Sequence, residues 1–141
     1  MSVFKTQPTL ENLNGMSANN MTEHLGILFT VVGDDFIEAT MPVDHRTKQP
    51  HGLLHGGASL VLAETLGSIG ANFCVDLTKQ YCVGLEINAN HVKSAREGVV
   101  IGRAKPVHIG KRTHVWEIRI TNEQKELVCI SRITMAVIDK R

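Results

Sequence analysis

Ala58, Val61, Leu62, Thr65, Leu66, Ile69 and Phe73 recur at the three-and-four spacing of an α-helix and predict one from about Gly56 to Phe73. The segment is apolar almost all round, so it belongs inside something, wrapped by a sheet or by a partner subunit. From Gly52 to Val75 the only Asp, Glu, Lys or Arg is Glu64. Upstream, the first 25 residues read as helical: Thr9 caps "TLENLNGM", and "NNMTEHLG" is a second short helix stopped at Gly26. "ILFTVV" and "FIEATMPV" are β-rich runs separated by "GDD", the composition of a hairpin turn. A Pro- and His-bearing loop, roughly 43 to 54, leads into the long helix.

Four extended segments follow the helix: "YCVGLEINANHV", "VVIGRAKPVHI", "HVWEIRIT" and "LVCISRITMAVI", punctuated by "SAREG", "GKR" and "NEQKE". In the third, His114, Trp116, Ile118 and Ile120 alternate with Val115, Glu117, Arg119 and Thr121, the period of a strand with one face buried. Trp116, among aliphatic neighbours, reads as core. Short turns join antiparallel neighbours, so the order predicts an α+β fold: an antiparallel sheet of about six strands with one apolar helix packed on it.

At 141 residues the chain fits one domain, 1–141, with no internal repeat or linker. No stretch is long and apolar enough to span a bilayer, and "MSVFKTQPTLENLNGM" lacks the basic start and apolar run of an export signal, so a cytoplasmic location is expected. Cys74, Cys82 and Cys129, odd in number and widely spaced, fit reduced buried thiols better than a disulfide framework. A net charge of +1 gives no push towards nucleic acid or membrane, and any anionic ligand must be held locally.

"RTKQPHGLLHGGASLVLAETLGS" and "VGLEINANHVKSAREG", with the C-terminal strand pairs, resemble the hotdog-fold acyl-CoA thioesterases. Within them the chain is most similar to the phenylacetate-pathway-like branch, which holds the menaquinone-pathway dihydroxynaphthoyl-CoA thioesterases and the enterobactin proofreading thioesterases. The resemblance covers nearly the whole chain and is weakest over the first 25 residues. The glycine pair alone is a weak signal. Gln49, "HGG", Glu64 and Ser68 at this spacing, followed by "NANHV", form a strong one. It implies a sheet wrapped around one helix and a cofactor-free hydrolase of aromatic or fatty acyl-CoA thioesters. The minimal active unit would be a homodimer, assembled as a homotetramer, with acyl-CoA or an acylated carrier protein as substrate.

Thioester hydrolysis needs a polarised carbonyl, a base or nucleophile, and a shaped dry pocket. Backbone N–H groups at a helix N-terminus point at incoming negative charge, and Gly56 and Gly57 admit a ligand where a side chain would obstruct it. The resemblance implies that the Gly56 amide is the oxyanion donor and Glu64 the general base or nucleophile, with Gln49 orienting the carbonyl or the water. A carboxylate on an apolar helix is expected to be poorly solvated, which suits it to that work. Gly56 and Glu64 stand eight positions apart, about 12 Å along one helix, so no single carbonyl touches both. If both serve one thioester, the second must come from another chain, with two helices antiparallel across a two-fold axis. Ser68, one turn after Glu64, is placed to hydrogen-bond the carboxylate or the departing sulfur. His91, Lys93, Ser94 and Arg96, at a strand end and turn, are candidates for the CoA phosphates. The relatives tend to carry Arg at the place of Lys93 and an aromatic at that of His51, which weakens a bidentate phosphate contact here and alters the acyl pocket.

Each of these residues also has a plainer role. Glu64 could be salt-bridged to a basic residue from elsewhere in the fold, the glycine pair a tight turn, and His91, Lys93 and Arg96 a solvated turn. His51 and His55 have the spacing of two metal ligands, yet Gly52 lies between them, Pro50 precedes them and no third ligand is near, so no metal is expected. His55 then serves as a hydrogen-bonded organiser of the loop. Two rival functions stay open: a hotdog enoyl-CoA hydratase or dehydratase, and a non-catalytic acyl-CoA-binding module.

Overall fold

The computed structural model describes residues 1–141. Helix is confined near the N-terminus to α1, Leu10–Met16, and α2, Met21–His24. Thr9 Oγ1 accepts the Asn12 N–H at 3.2 Å and Asn20 Oδ1 accepts the Thr22 N–H at 3.1 Å, so each short helix has a side-chain N-cap. Gly26, at φ 73°, ends the second in the left-handed conformation that glycine adopts freely. Strands β1, Leu28–Val32, and β2, Ile37–Pro42, form the expected hairpin. The long helix α3 spans Gly56–Phe73, and β3 Gln80–His91, β4 Val99–Ile109, β5 Thr113–Thr121 and β6 Leu127–Asp139 complete the chain.

All strand pairs are antiparallel, in one six-stranded sheet of order β1-β2-β4-β5-β6-β3. One connection departs from the short-turn expectation. The segment 92–98 joins β3 to β4, yet those strands are separated by β5 and β6. Seven residues in extended form reach farther than the roughly 14 Å of three strand spacings, so this link crosses the end of the sheet instead of turning back. It is tied down where it passes: Val92 and Lys93 N–H groups donate to Val128 O, and the Leu54 N–H donates to Ala95 O. The crossing makes β3 an outer edge of the sheet.

The core is a cluster of 27 buried residues, drawn mostly from α3 and the sheet and extended by Phe4, Leu13 of α1 and the connecting segments. Along β5, His114, Trp116, Ile118 and Ile120 are buried, matching the period-two pattern. Leu62 and Leu66 of α3 are fully buried, a contribution of about 1.5–3 kcal/mol each. The helix sits close because glycines meet large side chains: a Cβ on Gly70 would lie 2.7 Å from the Trp116 ring, and one on Gly102 of β4 2.7 Å from Leu66 Cδ1. The sheet does not cover all of α3. Gly57, Leu60, Val61, Glu64, Ser68 and Asn72, spaced three and four apart, form a stripe that is exposed or half-buried. No helix is long and apolar enough to cross a membrane.

Candidate active site

The loop between β2 and α3 is built by its own side chains. Asp44 accepts from the Arg46 backbone N–H and guanidinium, and chiefly that side-chain bond holds its carboxyl down at about 2. Thr47, buried, donates its hydroxyl to Pro42 O at 2.7 Å and accepts the Asp44 N–H at 3.1 Å. Beyond it Gln49 opens a tight turn: its N–H donates to Leu53 O, its carbonyl accepts from Gly52, and its Oε1 accepts the His51 N–H. Because Oε1 is engaged, the side-chain NH2 of Gln49 is the end left to donate. Gly52, at φ 81°, makes the return with no steric penalty.

His55 is the N-cap of α3. Its Nδ1 accepts the Gly57 N–H at 2.8 Å, and its carbonyl accepts from Ala58 and Ser59. An accepting Nδ1 in a neutral ring puts the proton on Nε2. This hydrogen bond makes His55 the organiser of the loop and occupies the Gly57 amide. The Gly56 N–H, by contrast, has no acceptor among the hydrogen bonds of the loop and cap.

That free amide opens into a cleft of about 280 Å³, whose lining brings together Gln49, Gly56, His91, Lys93 and Ser94. Five residues singled out between Gln49 and Ser94 thus meet in one place. His91 lies directly against Gly56: a Cβ there would be 2.9 Å from its Nε2, so only glycine leaves the amide accessible beneath the imidazole. Lys93 forms an ion pair with Glu126 at 2.9 Å, both side chains about half exposed. Arg96 is exposed, makes no ion pair, and lies outside this lining.

Glu64 stands elsewhere on α3 and corrects one expectation. In the single chain it is exposed, on the stripe the sheet leaves uncovered, and not sunk in apolar surroundings. No cation pairs with it: none of the six ion pairs and none of the side-chain hydrogen bonds involves Glu64. Its carboxylate lies against β3, where a Cβ on Gly84 would meet Oε2 at 2.8 Å. Ser68 does not bond that carboxylate. Its hydroxyl instead faces Met135 Sδ at 3.9 Å, a weak contact, because it is turned towards β6. The pattern of chemistry-bearing residues also missed Asn72, next on the same stripe, whose side chain accepts the Cys82 N–H at 2.8 Å and donates to Cys82 O at 3.2 Å.

Thiols take no part in the cleft. Burial pushes Cys74 up to about 12 and Cys82 up to about 11, and moves Cys129 in the same direction, so all three are protonated near neutrality.

The sequence profile of the thioesterase superfamily matches residues 51–129, which include the cap of α3, Glu64 and the β3 end. The chain belongs to the thioesterase superfamily. It is 56% identical, over 136 residues covering 96% of this chain and 99% of the other, to the 1,4-dihydroxy-2-naphthoyl-CoA hydrolase of Escherichia coli. It superposes with a TM-score of 0.97, at 48% identity, on a Pseudomonas aeruginosa thioesterase solved as a glutamine-to-alanine mutant, covering 99% of this chain and 100% of that one. A Staphylococcus aureus protein, at 40% identity and a TM-score of 0.83, covers 86% of this chain and 100% of its own. It has been solved with a glutamate-to-alanine change and, under the name thioesterase, with a glutamine-to-alanine change fifteen positions away, the separation of Gln49 and Glu64 here. The present thioesterase therefore has the hotdog architecture expected from its motifs and is a thioester hydrolase.

Proposed function

We propose that this thioesterase hydrolyses acyl-CoA thioesters with aromatic or medium-chain acyl groups, 1,4-dihydroxy-2-naphthoyl-CoA foremost, at two composite sites per homodimer. The observation that carries the proposal is the division of the machinery along α3. One end offers a free amide in a cleft with Gln49, His91, Lys93 and Ser94; eight residues on, an unpaired carboxylate lies on a face that the chain itself leaves uncovered. About 12 Å separates them on one helix, too far for one carbonyl.

An antiparallel second copy removes that gap. Glu64 rests on Gly84 of β3, and Gly56 rests under His91 of the same strand. Bringing Glu64 to the partner's Gly56 therefore brings Gly84 towards the partner's His91, and the two β3 edges run antiparallel side by side. The uncovered stripe of α3 and the open sheet edge are closed together. The E. coli relative's named substrate is the ground for placing the naphthoyl thioester first. Two such dimers form the homotetramer.

In this arrangement the carbonyl oxygen takes the Gly56 N–H, with the Gln49 NH2 beside it as second donor. Glu64 from across the axis either attacks the carbonyl carbon, expelling the CoA thiolate and leaving a mixed anhydride that water then opens to the free acid, or removes a proton from an attacking water, the C–S bond breaking and the proton passing to the departing thiolate. His55 holds the helix start in register, and His91 covers the amide. Lys93 and Ser94 in the cleft, with Arg96 farther along the same connecting segment, meet the CoA phosphates, while Gly57, its amide taken by His55, only leaves room for the ligand. Ser68, one turn from Glu64, reaches the departing sulfur only by turning its hydroxyl away from Met135.

Thiol release from benzoyl-CoA by Glu64→Gln tests this reading. Turnover should fall about 10²–10⁴-fold with acyl-CoA binding retained. Undiminished turnover removes Glu64 from the mechanism. Crotonyl-CoA provides the contrasting arm: loss of enoyl absorbance with no thiol released would mark a hydratase.

A further inference from the structure

The exposed carboxylate of Glu64 is held by no hydrogen bond and no ion pair, yet a base or nucleophile has to be kept within a fraction of an ångström of its working position. Within its own chain contact is what remains to hold it, and the contact is with the backbone of β3. A Cβ on Gly84 would stand 2.8 Å from Glu64 Oε2 and 3.8 Å from its Cδ. The carboxylate thus occupies the space a side chain would fill at this strand position.

Two features fix that piece of strand. The register of β3 against β6 shifts between Gly84 and Glu86, so Leu85 is an extra residue that bends the edge next to Gly84. Two residues before Gly84, the Asn72 side chain takes both the N–H and the carbonyl of Cys82. Glu64, Ser68 and Asn72 follow each other at four-residue spacing along one helix face, and Asn72 also donates to Ser68 O at 2.8 Å. The helix stripe that carries the carboxylate is therefore clamped to the strand that supports it.

We infer that Gly84 is a positioning residue for Glu64, setting where the carboxylate lies by the absence of a side chain; this rests on Glu64 as the base or nucleophile. Gly84 does not have a positive φ, so alanine fits its backbone. The atom that alanine would displace is the far end of a flexible side chain, which swings aside at little expense to the fold. Gly84→Ala should therefore separate activity from stability.

The test is steady-state thiol release together with urea unfolding for Gly84→Ala and Gly84→Val. The expected result is a fall in kcat of about 10²-fold, with KM and the unfolding midpoint of the alanine variant unchanged. In a Glu64→Asp background, where the carboxylate is one methylene shorter and draws back from the strand, Gly84→Ala should have a much smaller effect, and the two losses should not add. Unchanged kcat in both Gly84 variants overturns the inference, as does full additivity with Glu64→Asp. Loss of turnover in Glu64→Gln alongside active Gly84 variants would reject the positioning role alone, whereas an active Glu64→Gln rejects the underlying mechanism.

Discussion

The two edges of the sheet are treated differently. At β1, five residues long, Asn14 of α1 donates to Phe29 O at 3.1 Å and accepts the Phe29 N–H at 2.9 Å, and the register shifts between Phe29 and Val31. A helix and an asparagine clamp close that edge within one short strand; the irregularity is shared with β3, whose register shifts between Gly84 and Glu86. At β3, twelve residues long, Asn72 clamps Cys82 in the same manner but only near the start. From Gly84 onward no side chain from α3 caps the strand, and Val83 and Leu85 are exposed. Long open edges invite another strand, and proteins that do not use them block them. This chain clamps one edge along its length and leaves most of the other open beside Glu64, a contrast that supports the proposed pairing of two copies along β3.

The largest effect should come from charging the two edges in turn. Leu85 is 62% exposed on β3 and Leu28 52% exposed on β1, so lysine fits either in the isolated chain. Across a two-fold axis Leu85→Lys sets like charges against each other. It is expected to sediment as a monomer and to lose about 10²–10⁴-fold in turnover, since the base no longer meets the amide of another chain. Leu28→Lys should keep both assembly and activity. A fully active Leu85→Lys monomer would break the comparison.

A smaller effect separates the two clamps. Asn14→Ala and Asn72→Ala each leave a backbone N–H and carbonyl without their partner, a loss of about 1–3 kcal/mol by urea denaturation. Only Asn72→Ala should also lower kcat, because it loosens β3 two residues from Gly84. Equal kcat in the two variants would reduce Asn72 to a purely structural role.

The elements were legible because each segment carries one clear period: three-and-four from Ala58 to Phe73, two from His114 to Thr121. Gln49, Gly56 and His91 were legible as a motif, and their meeting in one cleft follows from the crossing link 92–98, whose course no turn signal reveals. The exposure of Glu64 was hidden for a different reason. An all-apolar helix announces that it will be covered, but its sequence does not say whether the cover lies in the same chain. Asn14, Asn72 and Gly84 had no local signal at all: each acts on a residue at least ten positions away, and a lone asparagine in a helix or glycine in a strand looks like ordinary surface.

The smallest effect expected concerns the interior of the sheet rather than its edges. His114 is buried, its Nδ1 has no hydrogen-bond partner, and burial first, then the neighbouring His108, pushes its pKa below the ordinary 6.5. Protons bind the unfolded chain more readily than the folded one in that range, so stability present above pH 6.5 is lost as pH falls through it. Asp44, Asp76 and Glu126 are held below their ordinary carboxylate values and titrate at more acid pH, outside this window. His114→Leu, close in volume, should make the urea midpoint less sensitive to pH between 7.5 and 5.5 while leaving the edge-dependent properties unchanged, dimer formation and turnover included. Equal slopes in wild type and variant would show that the buried imidazole does not govern the acid response, and a change in assembly would mean that core and edge are coupled.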